Sequence, residues 1–343
     1  MKKFSFAKTL ITILMLTALL AGCSAKDKDT GANTDSNQPA VTEGNTQVEE
    51  NTEDNTTEAA AGDTMIVTDV KGDVEIPANP ERIVDLSGNS DILSILGYKV
   101  VGTANSDAYD YTKFPSYLEE TLKDAAIVGF SMQDTMDIEA IMNLTPDLII
   151  ISTVQEKMYE QLQEIAPTLM IQLEALNWKD DIKTFAKLFN KEEAADTWIA
   201  NYENKAKESG AGVKESLGAD TTYLAFLASG GQFYVFDGAG FGTILYEDMG
   251  LAKPEGMPAQ SDISLPVVTF EGLAEIKADY IFVLATDEDL AVLNDNAIWK
   301  SIPAVKDGKI INLSASPYFV QGYSSIGRDL LIDEITEILN GQK

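Results

Sequence analysis

The 343-residue chain contains no histidine, a single cysteine and only two arginines. Without histidine it cannot form a Ser–His or Cys–His catalytic pair, or a zinc or haem site that uses histidine ligands. With Cys23 alone, no disulfide can form within the chain. Carboxylate-only enzymes, such as glycosidases with paired acidic residues, stay allowed. However, the spacing of the acidic residues singles out no such pair.

Positive charge is also scarce, because 25 Lys and Arg residues face 55 Asp and Glu residues and leave a net charge of −30. Without the three lysines of the first 23 residues the charge becomes −33. Residues 24–63 hold ten acidic residues and two lysines, so residues 64–343 carry about −25. Such a surface repels nucleic acids and anionic lipid headgroups. The composition therefore argues against a nucleic-acid-binding function.

The N-terminus resembles a bacterial lipoprotein signal. Three lysines flank or precede the apolar run Thr9–Leu20, which is short for a membrane span. The run leads into Leu20-Ala21-Gly22-Cys23, small residues before the cysteine. We expect a signal over residues 1–23, cleavage before Cys23, and a lipid anchor (palmitate) on its thiol at the outer face of the cytoplasmic membrane. The alternative is an ordinary secretory signal that contains a cysteine.

Residues 24–63 form a segment of different composition. The segment is rich in Asn, Thr, Asp, Glu, Gly and Ala and has no aromatic residue. It cannot bury enough apolar surface to offset the entropy of ordering, so we predict a disordered acidic tether. The remaining 280 residues are enough for two lobes with cores of their own.

The part after the tether contains one pattern twice. Asp137–Ile151 (DIEAIMNLTPDLIII) and Thr269–Val283 (TFEGLAEIKADYIFV) each predict a short helix that turns quickly into a buried strand. The first residue of each copy is a suitable N-cap, which would place the following Glu in the first helical turn. Coincidence is the alternative, since such units are common in α/β proteins. The matching pairs are Glu139 with Glu271, Leu144 with Ile276, and Asp147 with Asp279.

Predicted strands and helices alternate along the chain, which indicates mostly parallel sheets covered on both faces. We predict an N-terminal lobe over 64–189 and a C-terminal lobe over 210–343, joined by a rigid bridging helix over 190–209. Asn190 followed by Glu193 resembles a capping box at the start of this helix. The alternative is one more helix packed on a single large domain.

The loops expected at the carboxyl ends of the strands are rich in aromatic residues, and ligands of open α/β sheets bind at that edge. Two such edges facing each other would form an aromatic-lined cleft between the lobes. A Gly-rich loop over 229–242 and a final loop over 314–325 are expected to contribute. Any one residue could instead pack in the core or rim, so the clustering carries the inference. The predicted ligand-binding residues are Ser87, Asn89, Tyr109, Tyr111, Phe130, Trp178, Phe233, Tyr234, Phe241, Tyr318, Tyr323 and Arg328.

Several motifs give the chain from Thr64 onward a family resemblance. It resembles the substrate-binding lipoproteins of ABC importers for iron–siderophore complexes and cobalamin-type ligands. The resemblance implies two Rossmann-like lobes joined by one long helix, with limited closure on the ligand. It also implies that Glu139 and Glu271 each pair with a permease arginine. A departure is Asp91, where many relatives carry Glu. The motifs are Asn79-Pro80-x-Arg82-Ile83-Val84, Ile138-Glu139-x-Ile141-x-x-Leu144-x-Pro146-Asp147-Leu148-Ile149 with its second copy, and Trp299-x-x-Ile302-x-Ala304-Val305-Lys306-x-Gly308-Lys309.

The leading hypothesis is a monomeric receptor, without a cofactor of its own, that delivers a ferric siderophore to an ABC permease and its ATPase. The siderophore, not the protein, would hold the iron. Among the lysines, only Lys113, Lys157 and Lys253 are expected in or close to the cleft loops, and Arg82 is expected to be structural. A tris-catecholate complex carries about three negative charges and would need a cluster of cations, so a hydroxamate complex is favoured. The alternatives are a cobamide or haem receptor, a secreted carboxylate-dependent hydrolase, and a purely structural surface protein.

Overall fold

The computed structural model describes residues 63–173 and 177–342. The predicted signal, its Cys23 and residues 24–62 of the predicted tether lie outside these ranges. From Gly62 to Lys343 the chain forms one compact unit. Within the described ranges, no helix combines the length and the apolar character needed to cross a membrane.

A small antiparallel hairpin precedes the first lobe. Strand β1 (Thr64–Thr68) pairs with strand β2 (Asp73–Pro77). Gly72 has a φ of 126° in the turn between them, a conformation that glycine adopts without the steric cost of a Cβ.

The N-terminal lobe is built on a five-stranded parallel sheet with helices on both faces. Its elements are β3 (Ile83–Asp85), α1 (Ser90–Ile95), β4 (Val100–Asn105), β5 (Ala126–Phe130), α2 (Ile138–Asn143), β6 (Leu148–Ser152), a 3₁₀ helix (Thr153–Met158), α3 (Tyr159–Gln163), β7 (Thr168–Ile171) and α4 (Trp178–Leu188). The strand order is β5-β4-β3-β6-β7, with β3 in the centre and the chain turning outward on both sides. This arrangement creates a point beside β3 where the strand order reverses, and ligands of such sheets bind there.

The bridging helix α5 (Glu192–Leu217) leads to the C-terminal lobe, which has a mixed sheet. Its elements are β8 (Tyr223–Ser229), β9 (Gln232–Val235), α6 (Phe241–Thr243), a π-helical turn (Ile244–Asp248), β10 (Val267–Val268), α7 (Phe270–Glu275), β11 (Tyr280–Ala285), α8 (Asp287–Asp295), α9 (Ala297–Ser301), α10 (Pro303–Lys306), β12 (Ile310–Ser314), α11 (Ala315–Gln321) and α12 (Ser325–Asn340). The strand order is β10-β9-β8-β11-β12, in which β8, β11 and β12 run parallel and β9 runs opposite to both its neighbours.

Each sheet has an apolar core on both faces, because successive side chains of a strand point to opposite sides. In β6, Leu148 and Ile150 pack on the side of α4 and α5, whereas Ile149 and Ile151 pack on the side of α2. The residues of β11 divide in the same way: one set packs on the side of α5 and α12, and the other set packs on the side of α7 and α9. This explains why both strands are continuous apolar runs in the sequence.

The two copies of the sequence repeat have the same structure. Asp137 caps α2 by accepting a hydrogen bond from Ala140 N at 2.9 Å, and Thr269 caps α7 by accepting one from Gly272 N at 3.3 Å. Both predicted N-caps are confirmed, since each satisfies an otherwise unpaired helical N–H group.

The matched aspartates Asp147 and Asp279 also share a role. Asp147 accepts hydrogen bonds from Glu81 N and Arg82 N, directly before β3. Asp279 accepts from the amide and the hydroxyl of Thr222, directly before β8, both at 2.9 Å. In each lobe the repeat thus fastens the start of the central strand to its neighbour.

Helix α5 packs on both lobes. Ala195 and Ile199 belong to the core of the N-terminal lobe, whereas Tyr202, Ala206 and Val213 belong to the core of the C-terminal lobe. The helix has 26 residues and is about 39 Å long at 1.5 Å per residue.

The bounds of α5 differ from the prediction at both ends. Lys191, not Asn190, occupies the N-cap and makes no side-chain capping bond, so the predicted capping box is absent. The helix continues past residue 209 to Leu217. Within it, Gly210 lies against the backbone of Met249, where a Cβ would come within 1.8 Å of the carbonyl oxygen. Gly210 thus allows close packing within the helix, which has Gly218, with a φ of 104°, at its C-cap.

The C-terminal helix α12 provides a second connection between the lobes. It packs along α5 and also contacts α1 of the N-terminal lobe. The buried carboxylate of Asp91, in α1, accepts hydrogen bonds from Ser324 Oγ at 2.7 Å and from Ile326 N at 3.2 Å. Asp91 therefore caps the first turn of α12 from the other lobe, and burial raises its pKa.

The approach of α5 to Met249 predicts opposite effects for two glycines of the same helix. Gly210→Ala should lower the free energy of unfolding by about 3 kcal/mol, since a Cβ would overlap a backbone carbonyl. The exposed Gly212 has no neighbour within 4 Å of an added Cβ. Gly212→Ala should therefore raise the free energy of unfolding by about 0.5–1 kcal/mol. Urea unfolding of the full chain measures both values. Equal effects of the two substitutions would contradict this account of the packing.

The buried Asp91 predicts a pH-dependent contribution to stability. Burial raises its pKa in the folded state above the ordinary value of 3.8, so between these two pKa values the folded state binds more protons than the unfolded state. The contribution of Asp91 is then complete below the ordinary pKa and is lost as the pH rises through the raised pKa. The difference in unfolding free energy between wild type and Asp91→Asn should therefore fall as the pH rises above 3.8. A difference that does not change with pH would show that ionised Asp91 is not destabilised by its burial.

Candidate ligand-binding site

The candidate site lies where the carboxyl ends of the two sheets meet. In the N-terminal lobe these ends carry the loops after β3, β4 and β5, and in the C-terminal lobe they carry those after β8, β11 and β12. Loops from the two edges touch: Ser316 Oγ, after β12, donates a hydrogen bond to Asp107 Oδ2, after β4, at 2.6 Å. The predicted facing edges are thus present in the structure.

A buried carboxylate organises the first cleft loop. Asp85, the last residue of β3, accepts hydrogen bonds from Ser87 N, Ser87 Oγ, Asn89 N and Ser90 Oγ at distances between 2.6 and 3.1 Å. Burial raises the pKa of Asp85, although these four donors oppose the change. The hydroxyl of Ser87 is therefore committed to Asp85. Of the two predicted ligand residues in this loop, the half-buried Asn89 is the more accessible.

The second cleft loop, residues 106–113, is called the aromatic loop here because it presents Tyr109 and Tyr111. These side chains are 40% and 44% exposed, respectively. Asn105, buried at the end of β4, braces the loop by donating from Nδ2 to the carbonyl oxygens of Tyr111, at 3.2 Å, and Lys113. An exposed aromatic pair held in this way is a preformed apolar surface.

The exposed ring of Tyr111 stacks on the buried ring of Phe130, with centroids 5.5 Å apart and planes inclined by 26°. The next loop is fixed by Gln155, whose buried amide donates to Ser131 O at 2.6 Å and Gln133 O at 3.0 Å. Phe130 thus supports the aromatic loop by packing against one face of the Tyr111 ring, while the other face is available at the cleft.

Tyr109 reaches the other lobe. Its hydroxyl lies against Ser229, at the end of β8, and close to Asp289 and Tyr234. Burial of the hydroxyl raises the pKa of Tyr109 to about 12, and the negative charges of Asp289 and Asp107 act in the same direction. Tyr109 is therefore neutral near pH 7 and keeps its proton for hydrogen bonding.

On the C-terminal side, three predicted tyrosines are half-buried. Tyr234 donates a hydrogen bond to Gln232 Oε1 at 2.7 Å. Burial, assisted by Glu334, raises the pKa of Tyr318. Burial also raises the pKa of Tyr323 to about 12, and its ring lies so close to Gly240 that a Cβ there would come within 2.8 Å.

Two predicted ligand residues of the C-terminal lobe belong to the core instead. Phe233 is buried in β9 between Phe226 and Phe270, and Phe241 is buried beside Phe236 and Phe282. The segment 229–242 was expected to be a loop, but Gly230 and Gly231 form a tight turn into β9. The predicted loop 314–325 likewise contains α11.

The predictions for Trp178 and Arg328 are also corrected. Trp178 packs edge-on against Trp198 and Tyr202 of the bridging helix, with centroids 6.0 and 4.7 Å away. Arg328 is 2% exposed, donates to Asp248 Oδ2 at 2.7 Å and lies 4.9 Å from the Trp178 ring. The Arg328–Asp248 ion pair joins α12 to the π-helical turn of the C-terminal lobe. The guanidinium of Arg328 is therefore not directed at the cleft.

The remaining cations near the cleft are paired as well. Lys113 bridges to Asp110 at 3.1 Å, and Lys157 and Lys253 bridge at 2.6 Å to Asp134 and Asp237. Arg82 donates to the carbonyl oxygens of Leu144 and Thr145, which confirms its structural role. Among these residues, none brings an unpaired positive charge to the cleft edge.

The predicted docking residues Glu139 and Glu271 are both exposed. Each lies in the first turn of its helix, α2 or α7. These helices follow the edge strands β5 and β10, and both begin at the sheet edge that carries the cleft loops. The two carboxylates therefore occupy equivalent positions on the two lobes.

Several residues that build the site were not predicted, among them Asp85, Asn105, Asp107, Gln155 and Ser316. Most are polar residues at or directly after the carboxyl end of a predicted strand. That position was a signal in the sequence, because a buried polar group there can hold a loop by hydrogen bonds. The cross-lobe partners of Asp107 and Tyr109 had no such signal.

Comparison with known families identifies the chain. The family profile described as periplasmic binding protein matches residues 88–317. The chain belongs to the periplasmic binding protein family. This membership confirms the prediction of a binding protein and not an enzyme.

Relatives and solved structures agree with this membership. An iron(3+)-hydroxamate-binding protein, FhuD of Bacillus subtilis (strain 168), is 28% identical over 95% of both chains. A probable siderophore-binding lipoprotein, YfiY of the same organism, is 32% identical over 68% of this chain and 74% of its own.

Among solved structures, an FhuD-fold binding component of a Fep/Fec-like ferrichrome ABC transporter from Bacillus subtilis has a TM-score of 0.68 and 26% identity. It covers 80% of this chain and 99% of its own. Staphylococcus aureus SirA, solved with staphyloferrin B, has a TM-score of 0.62 and 25% identity over 81% of this chain and 99% of its own. The predicted architecture of two α/β lobes and a connecting helix is confirmed.

Proposed function

We propose that this chain is a cell-surface solute-binding lipoprotein that captures a ferric siderophore, preferably a hydroxamate complex, and delivers it to an ABC permease. The observation that carries the proposal is the cleft edge, where Tyr109 and Tyr111 stand on a braced loop. The neighbouring lysines are each paired with a carboxylate. Relatives named as hydroxamate-binding proteins support the same ligand class.

Charge separates the two main siderophore classes. A ferric trihydroxamate is neutral or cationic, whereas a tris-catecholate carries about three negative charges that need cations to offset their desolvation. The lysines nearest the cleft are already paired, and the charge of about −25 on residues 64–343 opposes the approach of an anion. Aromatic faces such as Tyr111 attract neutral and cationic ligands.

The proposed anchor and docking site complete the delivery route. Lipid on Cys23 and a tether over 24–63 would let the receptor search the space above its permease. Relatives named as lipoproteins support the anchor. Glu139 and Glu271, exposed on equivalent helices, would each meet a basic residue of the permease. Each Glu also interacts favourably with its helix dipole, which by itself is worth about 0.3–1 kcal/mol.

The charge argument predicts the order of affinities. The full chain should bind a ferric trihydroxamate at least about tenfold more tightly than a ferric tris-catecholate, a difference of about 1.4 kcal/mol. Quenching of tryptophan fluorescence in parallel titrations measures both, with a cobamide and haem as further ligands. Tighter binding of the catecholate would overturn the charge argument, and no saturable binding of any of these ligands would overturn the proposed function.

The stacked pair predicts a contribution from the ring face of Tyr111. Tyr111→Ala should weaken binding of the trihydroxamate about threefold to tenfold, because it removes an aromatic contact worth about 0.5–1.5 kcal/mol. The matched control Tyr111→Phe keeps the face and loses only the hydroxyl, so its affinity should stay near the wild-type value. Equal losses in the two variants would assign the effect to the hydroxyl instead.

The docking role predicts a loss of uptake without a loss of binding. Glu139→Lys combined with Glu271→Lys should abolish iron uptake by cells, while the affinity for the ligand in solution stays within about threefold. A control with Glu164→Lys and Glu275→Lys makes the same change of charge at two other exposed positions. These lie at the C-terminal ends of helices α3 and α7. Normal uptake in the first double variant would rule out docking through these residues.

A further inference from the structure

Asp107 is a buried carboxylate that uses its two oxygens for different lobes. It lies two residues beyond β4 and is 2% exposed, although it belongs to a loop. Oδ1 accepts a hydrogen bond from Tyr109 N of the aromatic loop at 2.9 Å. Oδ2 accepts one from Ser316 Oγ of the C-terminal lobe at 2.6 Å. One side chain thus connects the loop conformation to the position of the other lobe.

The first of these bonds sets the direction of Tyr109. A carboxylate that accepts from the backbone two residues later closes an Asx turn, which fixes the backbone between them. The amide of Asp107 itself donates to Asn105 Oδ1 at 3.3 Å, and Asn105 also holds the far end of the loop. The aromatic loop is therefore braced at both ends, and Tyr109 is directed at Ser229 across the cleft.

The second bond fixes the segment of the other lobe that lies opposite. Ser316 stands in α11, where its φ of −98° and ψ of 132° interrupt the helix and turn its side chain away from the helical path. The same segment ends at Ser324, which bonds to Asp91. The N-terminal lobe thus holds this segment at two points, Asp91 at the packed side of α12 and Asp107 at the cleft.

The two attachments differ in what surrounds them. Asp91 lies beneath α12, which packs on α5 and α1 and would hold the lobes together without this bond. The Asp107–Ser316 bond joins two cleft loops, with the Tyr109 hydroxyl contact beside it. A ligand between the lobes must leave past these loops, so their separation governs its release.

We propose that Asp107 is a positioning residue for ligand retention: it holds the aromatic loop against Ser316 and so slows the release of a ligand from the cleft. The inference rests on the proposed function, because it requires a ligand between the lobes. It adds a residue that does not itself contact the ligand and acts through Tyr109 and Ser316.

Ser316→Ala in the full chain tests this role, since it removes the donor of the cross-lobe bond and no backbone group. The dissociation rate of a ferric trihydroxamate, measured by displacement in a stopped-flow instrument, should rise about fivefold to tenfold. The association rate should stay within about twofold, because encounter does not depend on the formed contact. Ser316→Thr keeps the hydroxyl and should restore the slow dissociation. Ser301→Ala, a control in the same lobe whose hydroxyl bonds only within α9, should leave both rates unchanged.

A second set of variants isolates the pair. Asp107→Ala removes both bonds and should accelerate dissociation further than Ser316→Ala. Adding Ser316→Ala to it should change the rate less than about twofold, since the partner is already absent. Equal association and dissociation effects in Ser316→Ala, or full additivity in the double variant, would overturn the proposal.

Hydrogen exchange separates this inference from the proposed function. In Ser316→Ala without added ligand, the amides of residues 106–113 should exchange faster than in wild type, while those of α12 should not. If wild type bound no trihydroxamate, the proposed function would fail, and this exchange result would still decide whether Asp107 holds the loop. Unchanged exchange in residues 106–113 would overturn the positioning role whether or not the ligand binds.

Discussion

The geometry of the cleft depends on the close contact between helix α5 and the two sheets. A single continuous helix contributes to both cores, so the sheets cannot turn relative to each other without disturbing packed side chains. On the C-terminal side, Gly210 lies directly on the carbonyl group of Met249. Larger side chains at this position would push the C-terminal lobe away from the helix. This packing therefore sets the distance between the facing cleft loops of the two lobes.

The buried pair of Arg328 and Asp248 acts at the same junction. Tyr202 of α5 donates to the same Asp248 oxygen at 2.7 Å, and Arg328 also donates to Gly322 O at 2.7 Å. Breaking such a pair from one side leaves an uncompensated buried charge, which typically costs about 3–5 kcal/mol. The pair therefore specifies how α12 lies on α5, and α12 in turn presents its first turn to Asp91. Bridging helix, C-terminal helix and first cleft loop thus form one connected set of contacts.

The sequence was most informative where the pattern was local. Periodicity and N-caps predicted the helix and the strand of both repeat copies, because these follow from side-chain alternation and from hydrogen bonds within a few residues. The sequence was misleading where tertiary contacts determine whether a residue lies in a loop, a strand or a helix. Phe233 follows Gly230-Gly231 and seemed to belong to a loop, yet these glycines form the turn of a hairpin with β8. The bridging helix, predicted over 190–209, continues to Leu217.

The functional residues divide in the same way. Tyr109 and Tyr111 could be placed at the cleft from the alternation of strands and helices along the sequence, since loops after parallel strands share one edge of the sheet. Trp178 and Arg328 could not, because Trp178 meets Tyr202 only when α4 packs on α5, and Arg328 meets Asp248 only when α12 packs on α5. A lone aromatic or arginine near the start of a predicted helix has no local pattern that distinguishes a ligand contact from a buried tertiary contact.

The distribution of charge gives the cleft its chemical character. Asp85, Asp91 and Asp107 are all buried and hydrogen-bonded, so they shape loops and do not present carboxylates to a ligand. Both arginines of the chain are bonded to structural partners. With these charges satisfied internally, the cleft edge offers tyrosine rings, hydroxyls and backbone groups. Such a surface discriminates by shape and by weak polar contacts, and it penalises a highly charged ligand of either sign that would lose its hydration without gaining a partner.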